Sequence, residues 1–419
     1  MDKVVKKIKT VWNALGPGVV TGAADDDPSG IATYSQAGAG FGFTFLWLAA
    51  WSYPLMGVIQ EMCARIALVT GKGLAQNIRT HYSRYWLYIC GGLVVFANTL
   101  NIGADLGGMA DALRIFFPSL SIAVPIIGIA LVSVLFEVFA SYATYAKYLK
   151  WLAFTLLAYV LTGFVVHFDW PALLKAGILP SIDWTRDGLL MIAAVLGTTI
   201  SPYLFFWQSS EEVEEEIEAG EDTLQKRIKD GPHNIRKMRI DVWGGMFFSN
   251  LVMFFIIAVC ASTLFPQGIK DITSAASAAL ALKPLAGDFA EILFALGIIS
   301  TGLLAIPVLA GSSAYIISEA FEWKEGLYRK PSDAKAFYFM IALSVGFGIL
   351  FNLIGVNPIK ALIYSSVGNA IVSPLALIFI VLLAGDSKVM GAQKSGKLST
   401  FFGWLTIFIM SSLTVAIFL

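Results

Sequence analysis

Long apolar stretches dominate this chain of 419 residues, of which 57% are hydrophobic and only 14% are charged. A helix crosses the hydrocarbon core of a bilayer with about 20 apolar residues, and many stretches here reach that length. A soluble domain carries roughly 25% charged residues, so folding alone cannot cover so much apolar surface in water. The stretches are too continuous for the alternating pattern of a membrane β-barrel. The sequence therefore predicts an all-α integral membrane protein.

These stretches predict eleven membrane-spanning helices. Their approximate ranges are 11–38, 43–69, 86–113, 121–140, 146–167, 187–209, 238–264, 288–317, 336–354, 358–384 and 400–419. The three cysteines lie inside apolar segments without the spacing of metal ligands, and the net charge of zero gives no indication of nucleic-acid binding. We expect one membrane domain over residues 1–419, working as a monomer in the lipid bilayer.

Lysine and arginine are distributed unequally between the two sides of these spans. If the N-terminus is cytoplasmic, the inner segments carry 22 of these residues and the outer segments carry 6. Cytoplasmic loops are enriched in lysine and arginine. We therefore expect a multi-pass protein of the cell (cytoplasmic) membrane, with a cytoplasmic N-terminus and an external C-terminus.

The first and the sixth spans are interrupted in their middle. The first contains the segment 24–30 (ADDDPSG), and the sixth contains the segment 197–203 (GTTISPY). Proline lacks an N–H group and pushes the preceding residue out of helical geometry. Each helix should therefore break and restart at its proline, capped by Asp27 or by Ser201.

Broken helices that open two sets of five spans are typical of inverted-repeat transporters, whose binding site lies at the bilayer midplane. The first repeat would comprise residues 11–167 (spans 1–5), and the second would comprise residues 187–384 (spans 6–10). Residues 400–419 would form an additional eleventh span. Because the first span leaves the cytoplasm and the sixth enters it, the two repeats have opposite topology.

Three consecutive aspartates, Asp25 to Asp27, occupy the first break. Placing one charged carboxylate at the centre of a bilayer costs at least ~3 kcal/mol. The first half of each broken helix also ends in free carbonyl groups with partial negative charge. Carboxylates, carbonyls and hydroxyls together form a site for a hard cation. These residue types predict a cation transporter, although Asp27 could also serve only as a helix cap.

Residues 210–237 form the one strongly charged stretch of the chain, which begins with the acidic run SEEVEEE at 210–216 and continues into the basic run 226–229 (KRIK). We interpret it as a solvated cytoplasmic helix, with metal sequestration as the alternative. Glu61 and Arg65 are one helical turn apart in the second span and should form an ion pair. Glu137, near the end of the fourth span, is interpreted as structural.

Five ordered motifs occur along the chain: 15–18 (LGPG), 27–33 (DPSGIAT), 70–76 (TGKGLAQ), 104–106 (ADL) and 373–377 (SPLAL). They resemble the corresponding segments of the Nramp divalent-metal transporters, and the resemblance covers essentially the whole chain. It implies a LeuT-like fold of five plus five helices, with helices 1 and 6 broken. It also implies transport of divalent metal ions, with the metal as substrate and no cofactor.

The same resemblance places the metal ligands at the two breaks. The matching positions are Asp27 and Gly30 in the first span, with Thr198 and Ser201 in the sixth, and we expect the Ala24 carbonyl to help them bind the metal. Residues expected around these ligands or in the vestibule are Asp26, Asp105, Ser366 and Asn369.

Several of these positions depart from the usual Nramp pattern. Gly30 replaces an asparagine ligand, Ser201 replaces a methionine, and Ser366 replaces a glutamine. This altered site resembles that of the Nramp-related magnesium transporters. Mg²⁺ prefers oxygen ligands and keeps several of its waters, and smaller side chains would leave room for a hydrated ion. We expect transport of Mg²⁺, and also of Mn²⁺.

The residues that would move protons are also changed. The two span-6 histidines of the family fall on Tyr203 and Gln208, and the second acid of span 3 is Gly108. We therefore expect transport without proton coupling. Asp105 could titrate or attract cations, or it could bond freed backbone groups. The alternative is a proton-coupled Mn²⁺/Fe²⁺ symporter of the ordinary Nramp type.

Two other functional classes fit the sequence less well. The chain has no HExxH or GxSxG motif, so we do not expect an enzyme. A carrier of amino acids would direct half-helix N-termini toward a substrate carboxylate, and the three aspartates would repel that group.

Overall fold

A computed structural model describes residues 16–139, 154–220 and 224–418 of the protein. Within these ranges the regular structure is helical and no strand occurs. The helices are, in chain order, α1 (Pro17–Asp25), α2 (Pro28–Phe41), α3 (Trp47–Thr70), α4 (Leu74–His81), α5 (Arg84–Leu113), α6 (Ala123–Phe139), α7 (Leu157–Val165), α8 (Trp170–Ile178), α9 (Arg186–Thr199), α10 (Pro202–Glu218), α11 (Leu224–Thr263), α12 (Ala275–Ala279), α13 (Lys283–Ala286), α14 (Ala290–Phe321), α15 (Lys335–Phe351), α16 (Pro358–Gly385), α17 (Ser387–Met390) and α18 (Lys397–Phe418).

Six helical segments in the described residues are long and apolar enough to cross a membrane. They are Arg84–Leu113, Arg186–Glu218, Asn234–Gln267, Ala275–Phe321, Pro358–Gly385 and Lys397–Phe418. The shorter helices α6 and α15 are also apolar. Parts of the predicted first and fifth spans, residues 11–15 and 146–153, lie outside the described residues. The all-α membrane fold is confirmed, whereas the count of eleven spans stays a prediction.

Both predicted helix breaks are present. Helix α1 ends at Asp25 and α2 begins at Pro28, while α9 ends at Thr199 and α10 begins at Pro202. In each case proline occupies the first turn of the second helix, where its missing N–H group has no helical partner to lose. The sequence therefore predicted the positions of both breaks correctly.

The two capping predictions have different outcomes. The Asp27 carboxylate accepts a hydrogen bond from the Gly30 backbone N–H at 2.6 Å, as expected of an N-cap residue. The predicted cap by Ser201 is wrong, because its hydroxyl donates to the carbonyls of Gly197 and Thr198, both at 2.7 Å. The Ser201 side chain therefore donates to carbonyl groups at the end of α9 and accepts no hydrogen bond from the first N–H groups of α10.

Helices α1 and α11 pack backbone against backbone. A Cβ atom added at Gly22 would lie 2.4 Å from the Gly245 carbonyl oxygen, and one at Gly245 would lie 2.1 Å from the Gly18 carbonyl oxygen. The start of α1 is also held by α11, because the Asp241 carboxylate accepts hydrogen bonds from the backbone N–H groups of Gly16 and Gly18 at 2.8 and 2.7 Å. An acid at a helix N-terminus is favourably placed relative to the helix dipole.

The acidic part of the charged stretch 210–237 that lies in α10 is buried, so the interpretation as a solvated helix is wrong for these residues. Helix α10 continues through it to Glu218, and four of its glutamates are at most 5% exposed: Glu211, Glu212, Glu214 and Glu216. Glu214 shows why burial is tolerated. Its carboxylate accepts hydrogen bonds from the Leu327 and Tyr328 backbone N–H groups at 2.7 and 3.1 Å, and from the Tyr315 hydroxyl.

The predicted ion pair between Glu61 and Arg65 is confirmed. The same carboxylate also accepts hydrogen bonds from Arg239 Nε at 2.7 Å and from Trp243 Nε1 at 2.8 Å. Glu61 therefore connects α3 to α11.

Glu325, in the loop after α14, gives a pH-dependent prediction. Burial, together with the nearby carboxylates of Glu319 and Glu214, raises the pKa of Glu325 from 4.5 to about 9. Between these two pH values the folded protein holds a proton that the unfolded chain has released, so this group makes the protein less stable as pH rises. The variant Glu325→Gln should therefore unfold at a higher temperature than the parent near the upper end of this range, with little difference at its acidic end.

Thermal unfolding of purified protein at several pH values measures this effect. The variant Asp333→Asn, which changes an exposed acid in the same loop, is the matched control and should follow the parent. An equal shift of Glu325→Gln at all pH values would contradict the electrostatic explanation.

Candidate metal site

Asp27 lies at the centre of the candidate site and is fully buried. Its Oδ1 atom accepts hydrogen bonds from the Ser29 hydroxyl and the Gly30 backbone N–H, both at 2.6 Å. Its Oδ2 atom accepts from Asn101 Nδ2 at 3.2 Å and from the Tyr203 hydroxyl at 3.5 Å. Tyr203 has one hydroxyl hydrogen, and its shorter hydrogen bond is to the Ala24 carbonyl at 2.9 Å, so Oδ2 has Asn101 as its one regular donor and keeps capacity to bind a metal ion.

The structure brings Thr198 close to Asp27 through Ser29, whose Oγ lies 3.2 Å from Thr198 Oγ1. The expected carbonyl ligand, that of Ala24, accepts a hydrogen bond from the Tyr203 hydroxyl at 2.9 Å. Tyr203 therefore contacts both the carbonyl and the carboxylate expected to bind metal. A carbonyl oxygen has two lone pairs, so Ala24 keeps capacity for an ion.

Gly30 lies in a confined position. A Cβ atom added there would be 3.1 Å from the Asp25 carbonyl oxygen, 3.3 Å from the Tyr34 ring and 3.4 Å from Thr198 Oγ1. An asparagine at this position would require its neighbours to shift. These contacts suit a glycine at this position, whereas an enlarged cavity at Gly30 stays a prediction.

Three other expected site residues are Ser201, at the break in the sixth span, and Ser366 and Asn369 of α16. Asn369 Nδ2 is 3.4 Å from Ser201 Oγ, and the Asn369 Oδ1 atom has no hydrogen-bond partner. Ser366 Oγ lies 3.3 Å from Thr33 Oγ1 and also donates to its own helix. None of the three side chains forms a hydrogen bond with Asp27, and their role as ligands or as vestibule residues stays a prediction.

Asp105 and Asp26 are both fully buried. The Asp105 carboxylate lies near the Ser29 backbone N–H, and neither of its oxygens forms a hydrogen bond within the described part of the chain. The Asp26 carboxylate instead faces α11, where its Oδ1 atom is 3.3 Å from Ser249 Oγ. Asp105 therefore lies on the same side of the break as Asp27, whereas the Asp26 carboxylate lies on the side of α11.

Sequence reasoning did not identify three of the groups that contact Asp27 as site residues: Ser29, Asn101 and Tyr203. Asn101 could have been found, because it precedes Asp105 by one helical turn and so shares its face of α5. Ser29 is within the DPSG motif itself. Tyr203 was considered only as a group that does not titrate near neutrality.

No ion pair among the described residues includes an aspartate of the first break or Asp105. Burying these carboxylates without a positive partner is costly unless a cation or protons neutralise them. The donors around Asp27 are hydroxyl, amide and backbone groups, and carboxylate, hydroxyl and carbonyl oxygens are the ligands that hard cations prefer. The arrangement can therefore bind such a cation in the middle of the helix bundle.

Two broken helices that meet at a buried acidic site are the arrangement of the LeuT-like fold. Solved structures agree with this assignment. The fold matches a manganese transporter from Eremococcus coleocola with a TM-score of 0.80 at 18% identity, covering 97% of this chain and 86% of that one. It also matches Mhp1, a nucleobase-cation-symport-1 family transporter, with a TM-score of 0.58 at 14% identity, covering 96% of this chain and 90% of that one.

The family follows from the sequence comparisons. The model of the Nramp family, natural resistance-associated macrophage protein-like, matches residues 18–419, and the chain belongs to this family. A divalent metal cation transporter MntH from Pectobacterium carotovorum is 26% identical over 421 residues, covering 99% of this chain and 95% of its own length. An MntH from Mycobacterium tuberculosis is also 26% identical, covering 97% and 91%. The protein is thus a divalent metal transporter of the membrane and not an enzyme.

Proposed function

We propose that the protein transports Mg²⁺, with Mn²⁺ as a competing substrate, and that it belongs to the Nramp-related magnesium transporters. The observation that carries this proposal is the set of groups around Asp27. Its hydrogen-bonding side chains are the hydroxyls of Ser29 and Tyr203 and the amide of Asn101. Ser201 stands where ordinary Nramp proteins carry a methionine. An oxygen-rich site without a thioether removes the advantage of softer transition metals over Mg²⁺.

The proposal includes the organisation expected from the sequence. Repeat one (11–167) and repeat two (187–384) would rock around the site, with 400–419 as an additional span. The chain would work as a monomer in the cell membrane, with its N-terminus in the cytoplasm. The distribution of lysine and arginine, 22 inside and 6 outside, supports this orientation.

Competition between the two metals tests the selectivity. Proteoliposomes containing the protein should take up Mg²⁺, and external Mg²⁺ should reduce the uptake of Mn²⁺. The reason is that an oxygen site accepting Mg²⁺ cannot reject a metal that binds such ligands more tightly. Metal content measured by mass spectrometry after filtration gives both fluxes, with protein-free liposomes as control. If millimolar Mg²⁺ neither entered nor slowed Mn²⁺ uptake, the magnesium proposal would be wrong.

The second candidate is a proton-coupled Mn²⁺/Fe²⁺ symporter. One observation favours it: the E. coleocola structure that shares the fold is named a manganese transporter. Transport of Mn²⁺ with internal acidification, and without transport of Mg²⁺, would support this candidate.

A further inference from the structure

Asp25 and Asp26 have a different hydrogen-bond partner from those of Asp27. Both carboxylates point toward α11, where Ser249 Oγ lies 2.5 Å from Asp25 Oδ2 and 3.3 Å from Asp26 Oδ1. All three of these side chains are at most 1% exposed. Asp27, by contrast, contacts Asn101 on α5. The break in the first span thus presents carboxylates to two different sides.

The remaining oxygens of this pair have no partner. Asp25 Oδ1 and Asp26 Oδ2 are buried and form no hydrogen bond. No ion pair in the described part of the chain includes either residue. Within the same residues, no three acidic, histidine or cysteine side chains converge on one point. An ion held by Asp27 therefore does not also satisfy Asp25 and Asp26.

The local backbone adds to the negative charge. Asp25 is the last residue of α1 and Asp26 is its C-cap, where the helix dipole places partial negative charge. Two carboxylates and a hydroxyl oxygen beside a helix C-terminus are ligands for a hard divalent cation. One serine hydroxyl donates a single proton and cannot neutralise two buried charges.

We propose that Asp25, Asp26 and Ser249 form a second divalent-cation site, on the α11 side of the break and separate from the ion at Asp27. The proposal rests on the proposed function, since both sites would lie on one transport path. A second ion next to the first would lower the affinity of each by repulsion, which favours release. The alternative is that protons neutralise the Asp25 and Asp26 carboxylates. In that case the chain would bind one metal ion and not two.

The test is the number of Mn²⁺ ions bound by the full chain in lipid nanodiscs, measured by equilibrium dialysis with metal analysis. The parent should bind two ions per chain. The double variant Asp25→Asn, Asp26→Asn should lose one ion and keep the other, and Asp27→Asn should also keep one. Ser249→Ala should weaken one of the two affinities by about tenfold, the lower end of what loss of a supporting group costs.

Glu137→Gln is the matched control, because Glu137 is another buried carboxylate without a hydrogen-bond partner but lies on α6. It should bind two ions like the parent. Elution volume and unfolding temperature establish that each variant is folded. A single ion that is lost in Asp27→Asn and retained in the double variant would overturn the second site. This experiment measures the binding of Mn²⁺ and does not depend on transport. Failure of the magnesium proposal would therefore appear separately: Mg²⁺ would not enter proteoliposomes, while the number of Mn²⁺ ions bound per chain would stay at two.

Discussion

Replacing Asp27 with alanine should abolish divalent-metal transport. Asp27 is fully buried beside the helix break, and its carboxylate contacts groups from α2, α5 and α10. Removing this carboxylate takes away the charge that offsets the loss of water from the ion. The uptake of Mg²⁺ and Mn²⁺ by proteoliposomes should fall to the level of protein-free liposomes.

The variant must remain folded for this result to be informative. Asp27 also caps α2, and loss of such a cap costs roughly 0.5–2 kcal/mol, which a helix bundle of this size can tolerate. Elution volume and thermal unfolding in detergent measure the remaining stability. Asp27→Asn, which keeps a side chain able to cap the helix, is the second variant and should be equally inactive. Asp333→Ala, at an exposed loop position, is the control and should transport like the parent.

Uptake that persists in a folded Asp27→Ala protein would place the essential carboxylate elsewhere. The retained activity should then be lost when Asp26 is replaced, since it is the next acid at the same break.

A pH gradient should neither drive Mg²⁺ uptake nor be dissipated by it. The positions that carry histidines in the family are Tyr203 and Gln208, and both have other uses here. The Tyr203 hydroxyl donates to the Ala24 carbonyl at 2.9 Å. Gln208 accepts a hydrogen bond from Thr21 at 2.6 Å and donates one to Glu212 at 2.9 Å. These hydrogen bonds suit groups that stay neutral near pH 7.

Membrane potential should be the driving force in place of protons. A divalent ion gains about 4.6 kcal/mol per 100 mV, twice the value for a single charge. Uptake should therefore rise when valinomycin and a potassium gradient make the liposome interior negative. A pH-sensitive dye inside the same liposomes should report no acidification above that of Asp27→Ala liposomes. Metal-dependent acidification in the parent alone would show that Asp105 or another acid carries protons with the metal.

The sequence predicted those features that depend on local chemistry. Pro28 and Pro202 determine where the broken helices restart, and proline geometry does not depend on distant residues. The donors to Asp27 were harder to predict, because Asn101 and Tyr203 are 74 and 176 residues away along the chain. The direction of the Ser201 hydroxyl could not be deduced either, since a serine can bond the preceding carbonyls or the following amides equally well.

The acidic segment illustrates a different limit. From sequence alone, a run of glutamates is interpreted as solvent-exposed, because carboxylates are rarely buried without partners. The partners of Glu214 are backbone N–H groups of Leu327 and Tyr328, more than a hundred residues away. Backbone donors leave no mark in a sequence, because every residue except proline has one.

The contact between α1 and α11 has a consequence for how relatives of this protein can diverge. The atoms that block a side chain at Gly22 or at Gly245 are main-chain atoms of the opposite helix. A mutation on one helix therefore has no compensating mutation on the other, since no substitution removes a carbonyl group. Paired substitutions, from which contacts are often inferred in alignments, should be missing at this interface. Relatives with larger residues at these positions must hold the two helices farther apart.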